Sequence, residues 1–266
     1  MTRSNSSAPQ QHNDPLRETY RESIIEAPQH VELLKSRDTA LLCIDLQYLD
    51  AADGFGVFAD PESSGVPKTG RRYYFTSLRE WVLPNVRALQ DTFRSHGLEV
   101  IHVRIQALTR DGRDRSGGHK RLKLLAAPGS KEAEFLDEIA PQGDEIVINK
   151  TASGVFSSTN LNYVLQNLGI RALYVVGVYT NECVETTVRD ACDLGYFVTL
   201  VEDACTTQTA DLHDASIKTL RDRYARILST DEVVADIDKL VKPPQPNAGS
   251  SNSGNGSVVE EVSAAM

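Results

Sequence analysis

Three side chains in this sequence have the types and the placement to run an attack by a thiol. Asp45 closes the apolar run TALLCID, Lys150 closes EIVINK, and Cys183 lies in the turn that leads from ALYVVGV into a helical pattern. A free thiol with an ordinary pKa of about 8.5 is only slightly ionised at neutral pH, and a neighbouring cation or a helix N-terminus lowers that value. Here the helix starting near Cys183 would supply a dipole and Lys150 a charge. Asp45 would take the thiol proton and later return it to a leaving amine. Each residue also has an ordinary reading: an Asp that caps the next turn, a solvated Lys, and a Cys that fills space as a small hydrophobe. The chemistry needs no histidine. His12 and His30 lie in an N-terminal arm, His96 ends a helix, His102 is mid-strand, His119 sits in a basic loop and His213 begins a late helix. A Cys–His dyad would require His102 or His213 to fold toward Cys183.

For the three side chains to meet, the chain must bring distant segments to one edge. Continuous apolar runs over 39–45, 99–104, 145–148, 172–178 and 197–201 read as strands covered on both faces, as in a parallel sheet. Helical patterns fill 83–96, 161–168, 184–194 and 213–224, with a short strand or turn near 225–228. Gly97, Gly169 and Gly195 fall where a left-handed C-cap residue is wanted. This β-α-β order predicts an α/β fold, a three-layer α/β/α sandwich around a mostly parallel sheet. In such a sheet ligands bind beyond the carboxyl ends of the strands, where Asp45, Lys150 and Cys183 would stand together.

The 266 residues suit one domain over 38–241. Residues 1–37 read as a polar arm, with one short helix within 16–25, that would lie on a neighbouring subunit. Residues 242–266, rich in Gly, Ser, Asn and Pro, read as a disordered tail. A net charge of −9 argues against a nucleic-acid partner. Four cysteines do not make a disulfide frame, MTRSNSSAPQQHNDP has no apolar signal core, and no apolar run approaches the roughly 18 residues of a membrane span. A cytoplasmic protein without membrane contact is expected.

The strings TALLCIDLQ, INKTASGVFSSTNLNYVL, GVYTNECVETTVRDACDLGY and VEDACTTQT, spread over residues 38–235, resemble the isochorismatase-like cysteine hydrolases. The resemblance implies Asp45 as general acid and base, Lys150 as the charge that holds the thiolate, and Cys183 as nucleophile. It also implies a cis peptide bond between Val178 and Tyr179, with an oxyanion hole from the backbone N–H groups of Tyr179 and Cys183. Tyr179 stands where the family usually has a small residue. The metal-binding branch carries histidines soon after the catalytic Asp, and DLQYLDAADGFGVFADPESSG has none, so no metal and no cofactor are expected. TNECVETTVRD looks most like the ureide-hydrolysing members. That implies cleavage of a C–N bond in a small linear amide or ureide, of the biuret, triuret or ureidoacrylate kind, through a covalent intermediate on Cys183. The alternatives are another small amide, such as an N-carbamoyl amino acid or maleamate, or a non-catalytic metabolite binder. The family also suggests a homo-oligomer, dimer or tetramer.

Gln47, Arg104, Gln106, Asn181 and Gln208, all near predicted strand ends, are candidate contacts for a ureide rich in N–H and C=O groups. Gln47 and Asn181 have a second reading as partners of turn backbone. The aromatic stretch GRRYYFTSLREWVLPN is either a pocket lid or a subunit contact, and RDGRDRSGGHKRLKLL reads as a solvated loop. Cys43, Cys192 and Cys205 read as structural.

Overall fold

The computed structural model describes residues 28–244 apart from 61, 63 and 64. The helix expected within 16–25 and the tail from 245 onward lie outside the described residues. Six strands, β1 (Thr39–Ile44), β2 (Glu99–Ile105), β3 (Ile146–Lys150), β4 (Ala172–Val178), β5 (Phe197–Thr206) and β6 (Arg226–Leu228), form one sheet in the order β3-β2-β1-β4-β5-β6. Every pairing in it is parallel. The apolar runs lack polar alternation because both faces are covered: all six residues of β1 are buried. Successive side chains point to opposite faces. Leu41 and Cys43 therefore join the layer under helices Leu83–Ser95 and Thr230–Leu240, while Ala40, Leu42 and Ile44 join the layer under Leu161–Asn167, Glu185–Asp193 and Ala210–Leu220.

Several elements differ from the expected boundaries, each for a local reason. β5 runs on past Val201, where the sequence reading ends it, through Glu202 and Asp203 to Thr206. Its pairing with β4 jumps from Leu200 opposite Val175 to Cys205 opposite Gly177. The extra residues form a bulge, and Asp203 uses it to accept hydrogen bonds from Thr230 N and Thr230 Oγ1, both at 2.8 Å. β3 starts after Glu145, whose carboxylate is drawn off to Arg94 and His102, and extends through the polar Asn149 and Lys150. Helix Ala210–Leu220 begins earlier than expected, at the Thr209 cap. Helix Thr230–Leu240, absent from the sequence reading, carries a full capping box between Ser229 and Glu232. Helix Gln29–Ser36 lies in the expected arm, yet its Leu33 and Leu34 are buried.

The expected C-cap glycines Gly97, Gly169 and Gly195 all have positive φ. Gly177 has a different task. Its φ is +122°, and a Cβ there would stand 2.1 Å from the carbonyl oxygen of Ile44. The bare backbone lets the end of β4 press against the last residue of β1, which brings the turn after β4 beside Asp45. Gly177→Ala is expected to destabilise the protein by at least about 3 kcal/mol through strain and overpacking. Gly129→Ala, at φ +77° with open space around it, should cost only about 1 kcal/mol. Urea unfolding of the two variants checks the difference.

Candidate active site

The strand order places a switch point between β1 and β4, where connections leave in opposite directions and a crevice opens at the carboxyl ends. Asp45 stands there, one residue beyond Ile44, with its N–H donating to the Val103 carbonyl at 2.9 Å. Its φ of +53° is left-handed, a conformation Asp tolerates better than most residues, and it turns the chain sharply off the strand. Cys183 comes from the other side of the crevice, in a π-helical turn Thr180–Val184 that runs into helix Glu185–Asp193. Such turns frequently mark functional positions. The peptide bond between Val178 and Tyr179, which enters this turn, is cis. Lys150 ends β3, two strands away from β1, a lateral separation of about 10 Å. Its flexible four-carbon stem carries the ammonium across the end of β2.

There the three side chains meet. Lys150 Nζ is 2.9 Å from Asp45 Oδ2, 3.2 Å from Cys183 Sγ and 2.9 Å from the Ala152 carbonyl oxygen. The ammonium donates hydrogen bonds to the sulfur and to the Ala152 carbonyl, and meets Asp45 through charge. The contact with Asp45 is an ion pair set off the preferred hydrogen-bond directions, which leaves both Asp45 oxygens without a well-aligned donor. Lys150 and Asp45 are 0 % exposed and Cys183 is 4 % exposed. Burial works against the charge on Lys150, but Asp45 and the sulfur overcome it and hold the ammonium above its ordinary range. Burial pushes Asp45 up, opposed chiefly by the charge of Lys150.

The sulfur departs from the sequence expectation of a lowered pKa. Lys150 does pull the Cys183 thiol down, but burial and the negative charge of Asp45 outweigh it and raise the thiol well above its ordinary value. Burial thus pushes both the Cys183 thiol and the Asp45 carboxyl group toward their neutral forms, with the Lys150 ammonium opposing it in each case.

The remaining candidates separate into scaffold and rim. Gln47 is buried and bound entirely to backbone: Nε2 donates to the carbonyls of Ile105 (2.9 Å) and Glu132 (2.8 Å), and Oε1 accepts from Ile105 N at 2.6 Å. Its backbone reading holds, and it ties the start of the crevice to the end of β2. Arg104 is similarly engaged, by Asn149 Oδ1, by the Ala133 carbonyl (2.8 Å each) and by the ring face of Phe135. Gln106, Asn181 and Gln208 are half-buried. Gln106 N donates to the Lys150 carbonyl at 3.0 Å, holding the β3 end. Asn181 and Gln208 converge on Thr207 Oγ1, each at 2.5 Å. That hydroxyl has one proton, so one of the two amides presents its N–H₂ to it and the other its oxygen.

Neither of the two histidines considered as partners is bonded to the sulfur. His102 bonds Glu145 at 2.9 Å, and His213 Nδ1 bonds Thr180 Oγ1 at 2.9 Å. The basic loop is docked as well as charged: Ser116 N donates to the Thr151 carbonyl at 2.9 Å and His119 is buried beside the site. Burial and the charges of Lys150 and Arg115 push His119 down to about 4. The aromatic stretch resolves into a helix, Lys68–Ser77, whose Tyr74 is buried between Phe58 and Tyr179, at ring distances of 5.1 and 5.2 Å. Tyr74 is thus an inner wall, whereas Trp81 is exposed. Sequence reasoning passed over Asp50 and Thr207. Cys43 and Cys205 are buried and Cys192 half-buried, with no bond to the three-residue centre. Among the described residues, no group of three or more His, Cys, Asp or Glu is arranged to hold a metal ion, and no helix is long and apolar enough to cross a membrane.

The electrostatics predict an effect of Asp45 on the sulfur with an unusual sign. Because the Asp45 charge raises the thiol, Asp45→Asn should lower the Cys183 pKa and leave Lys150 as the dominant neighbour. At fixed pH the variant should be alkylated by iodoacetamide faster than the native protein, with the midpoint of the rate–pH curve moved to lower pH. An unchanged or raised midpoint contradicts this electrostatic account.

Comparison with known proteins places this geometry in a family. The isochorismatase domain model matches residues 39–232. The ureidoacrylate amidohydrolase RutB of Acinetobacter baylyi is 28% identical over 228 residues, covering 79% of this chain and 88% of that protein. RutB of Agrobacterium fabrum is 31% identical over 194 residues, covering 64% and 77%. Among solved structures, a cysteine hydrolase from Pseudomonas syringae shares the fold with a TM-score of 0.63 at 23% identity, over 77% of this chain and 94% of that one. A putative isochorismatase hydrolase from Oleispira antarctica is 30% identical with a TM-score of 0.56, over 74% and 96%. The matched span covers the whole sheet and Asp45, Lys150 and Cys183 with it: the chain belongs to the isochorismatase family.

Proposed function

We propose that this protein is an amidohydrolase that cleaves a non-peptide C–N bond in a small linear amide or ureide, with Cys183 as covalent nucleophile. The observation that carries this reading is the closed contact of Asp45, Lys150 and Cys183 in a buried crevice. Relatives named as ureidoacrylate amidohydrolases support the choice of an amide over an ester or ether. The sulfur attacks the carbonyl carbon as its proton passes to Asp45. The backbone N–H groups of Tyr179 and Cys183 receive the developing oxyanion, a role in which a single donor typically contributes about 3 kcal/mol. Collapse breaks the C–N bond, and Asp45 returns the proton to the departing nitrogen. Water, deprotonated by Asp45, then attacks the thioester or thiocarbamate and releases the acid and the thiol. Throughout, Lys150 keeps its charge and stabilises whichever of sulfur and carboxylate is anionic. The four cysteines are all free, which fits a reducing compartment such as the cytoplasm, and the acidic net charge suits a small-molecule substrate better than a nucleic acid. A homo-oligomer, dimer or tetramer, is part of this reading.

Cys183→Ser and Cys183→Ala should remain folded and lose ammonia release from biuret, triuret, ureidoacrylate and N-carbamoyl amino acids by about 1,000-fold or more. Undiminished release by the Ala variant overturns the nucleophile assignment. The pH profile gives a second check. Asp45 must be ionised to take the proton, and its pKa is raised from 3.8. Activity is therefore expected to fall as pH drops through a midpoint above that of an ordinary carboxylate, and this acid limb should disappear with the residual activity of Asp45→Asn.

A further inference from the structure

Five residues beyond Asp45 lies a second buried carboxyl group that the mechanism above does not use. Asp50 belongs to the short helix Tyr48–Ala51 and is 3 % exposed. Its backbone carbonyl accepts hydrogen bonds from two phenols, Tyr74 at 2.7 Å and Tyr179 at 3.1 Å. Tyr179 is the residue that opens the Cys183 turn, so these bonds pin Asp50 between the end of β1 and the end of β4, on the crevice itself. Its side chain has no such anchor: Oδ2 is buried and has no hydrogen-bond partner. A buried carboxyl oxygen without a partner is destabilising, and at the edge of the crevice a bound ligand is placed to complete the bond.

We propose that Asp50 is a substrate-binding residue whose carboxyl group pairs with a terminal carbamoyl group beyond the scissile bond. Its O–H donates to the second carbonyl of the substrate while its other oxygen accepts an N–H. This inference deepens the function proposed above and rests on it. The protonation it requires follows from the surroundings. Burial, then the charge of Asp45, opposed by Lys150 and reinforced by Glu182, hold the Asp50 carboxyl well above the usual carboxylate range, and the two phenols beside it are themselves neutral. A neutral acid offers one donor and one acceptor side by side, which matches the complementary pair on a carbamoyl group. The same neutrality avoids a second uncompensated negative charge next to Asp45. Amides lacking a second carbonyl leave Oδ2 unpaired and gain nothing from it.

The test compares kcat/KM of the native enzyme, Asp50→Asn and Asp50→Ala on biuret and on propionamide, with thermal unfolding of each. Asp50→Ala should lose about tenfold or more on biuret, mainly through KM, and less than about threefold on propionamide. Asp50→Asn keeps a neutral donor and acceptor and should retain most of the biuret activity. Because the phenols hold the Asp50 backbone, neither variant should lower the unfolding temperature, and removal of the unpaired oxygen should raise it. The native profile on biuret should also decline at alkaline pH as Asp50 ionises, a limb missing in Asp50→Asn. If the native enzyme cleaves biuret and Asp50→Ala loses the two substrates equally, or loses neither, the role of Asp50 is overturned while the hydrolase reading stands. A drop in unfolding temperature that matches the activity loss in both variants overturns it in favour of a structural role. Native enzyme inactive on biuret overturns the ureide reading, and the Asp50 assignment with it.

Discussion

The Lys150 ammonium, held without solvent among a carboxylate, a sulfur and a carbonyl oxygen, is the constraint around which the site is built. Removing a charge from water costs several kcal/mol even after the protein relaxes, and the cost is offset only if opposite charge and hydrogen-bond acceptors are in place. That requirement ties together the ends of β1 and β3 and the turn after β4, which are far apart in the chain. The arrangement also governs the sulfur. With one cation between two potential anions, only one of Asp45 and Cys183 is comfortably ionised at a time. The proton shared between them is the means by which the proposed chemistry turns over.

Backbone geometry brings these ends to the same height. The parallel register sets Ile44 against Val103 and Gly177, and Ile105 against Lys150, so Asp45, Lys150 and the Cys183 turn all emerge on the carboxyl side. Gly177 makes the closest of these approaches possible, because its backbone lies against the Ile44 carbonyl where no side chain fits. Gln47 then fixes the chain leaving β1 with three bonds to the backbone, and Tyr74 and Tyr179 fix the next turn through the Asp50 carbonyl. The crevice is a set of strand ends, each tied down by a different neighbour.

How much of this was legible depended on whether the signal was local. The apolar runs of β1 and β4 mark strands covered on both faces, since they are short, β-rich and without polar alternation. The capping box at Ser229 and Glu232 is a local signal as well, but the sequence reading stopped at the short strand near 225–228 and missed the helix that this box starts. Gln47 shows the opposite case: a polar residue next to Asp45 reads naturally as a ligand contact, but the carbonyls it serves, those of Ile105 and Glu132, are 58 and 85 residues away in sequence. The bulge in β5 was hidden for a similar reason, because Asp203 is a strand residue only by virtue of the helix terminus it caps.

From the chain alone, residue types and their order were sufficient for the sheet, for its parallel sense and for the gathering of Asp45, Lys150 and Cys183 at its edge, because burial of apolar strands and the right-handed crossover leave few other arrangements. The state of the sulfur was beyond such reading. Sequence supplies the cation and the dipole, which lower a thiol. Only the folded molecule supplies the desolvation and the facing carboxylate that raise it, and these prevail because electrostatic effects depend on depth and distance. The same holds for Asp50, an ordinary acidic residue in a string of letters, which becomes an unpaired carboxyl at the crevice once packing has taken its water away.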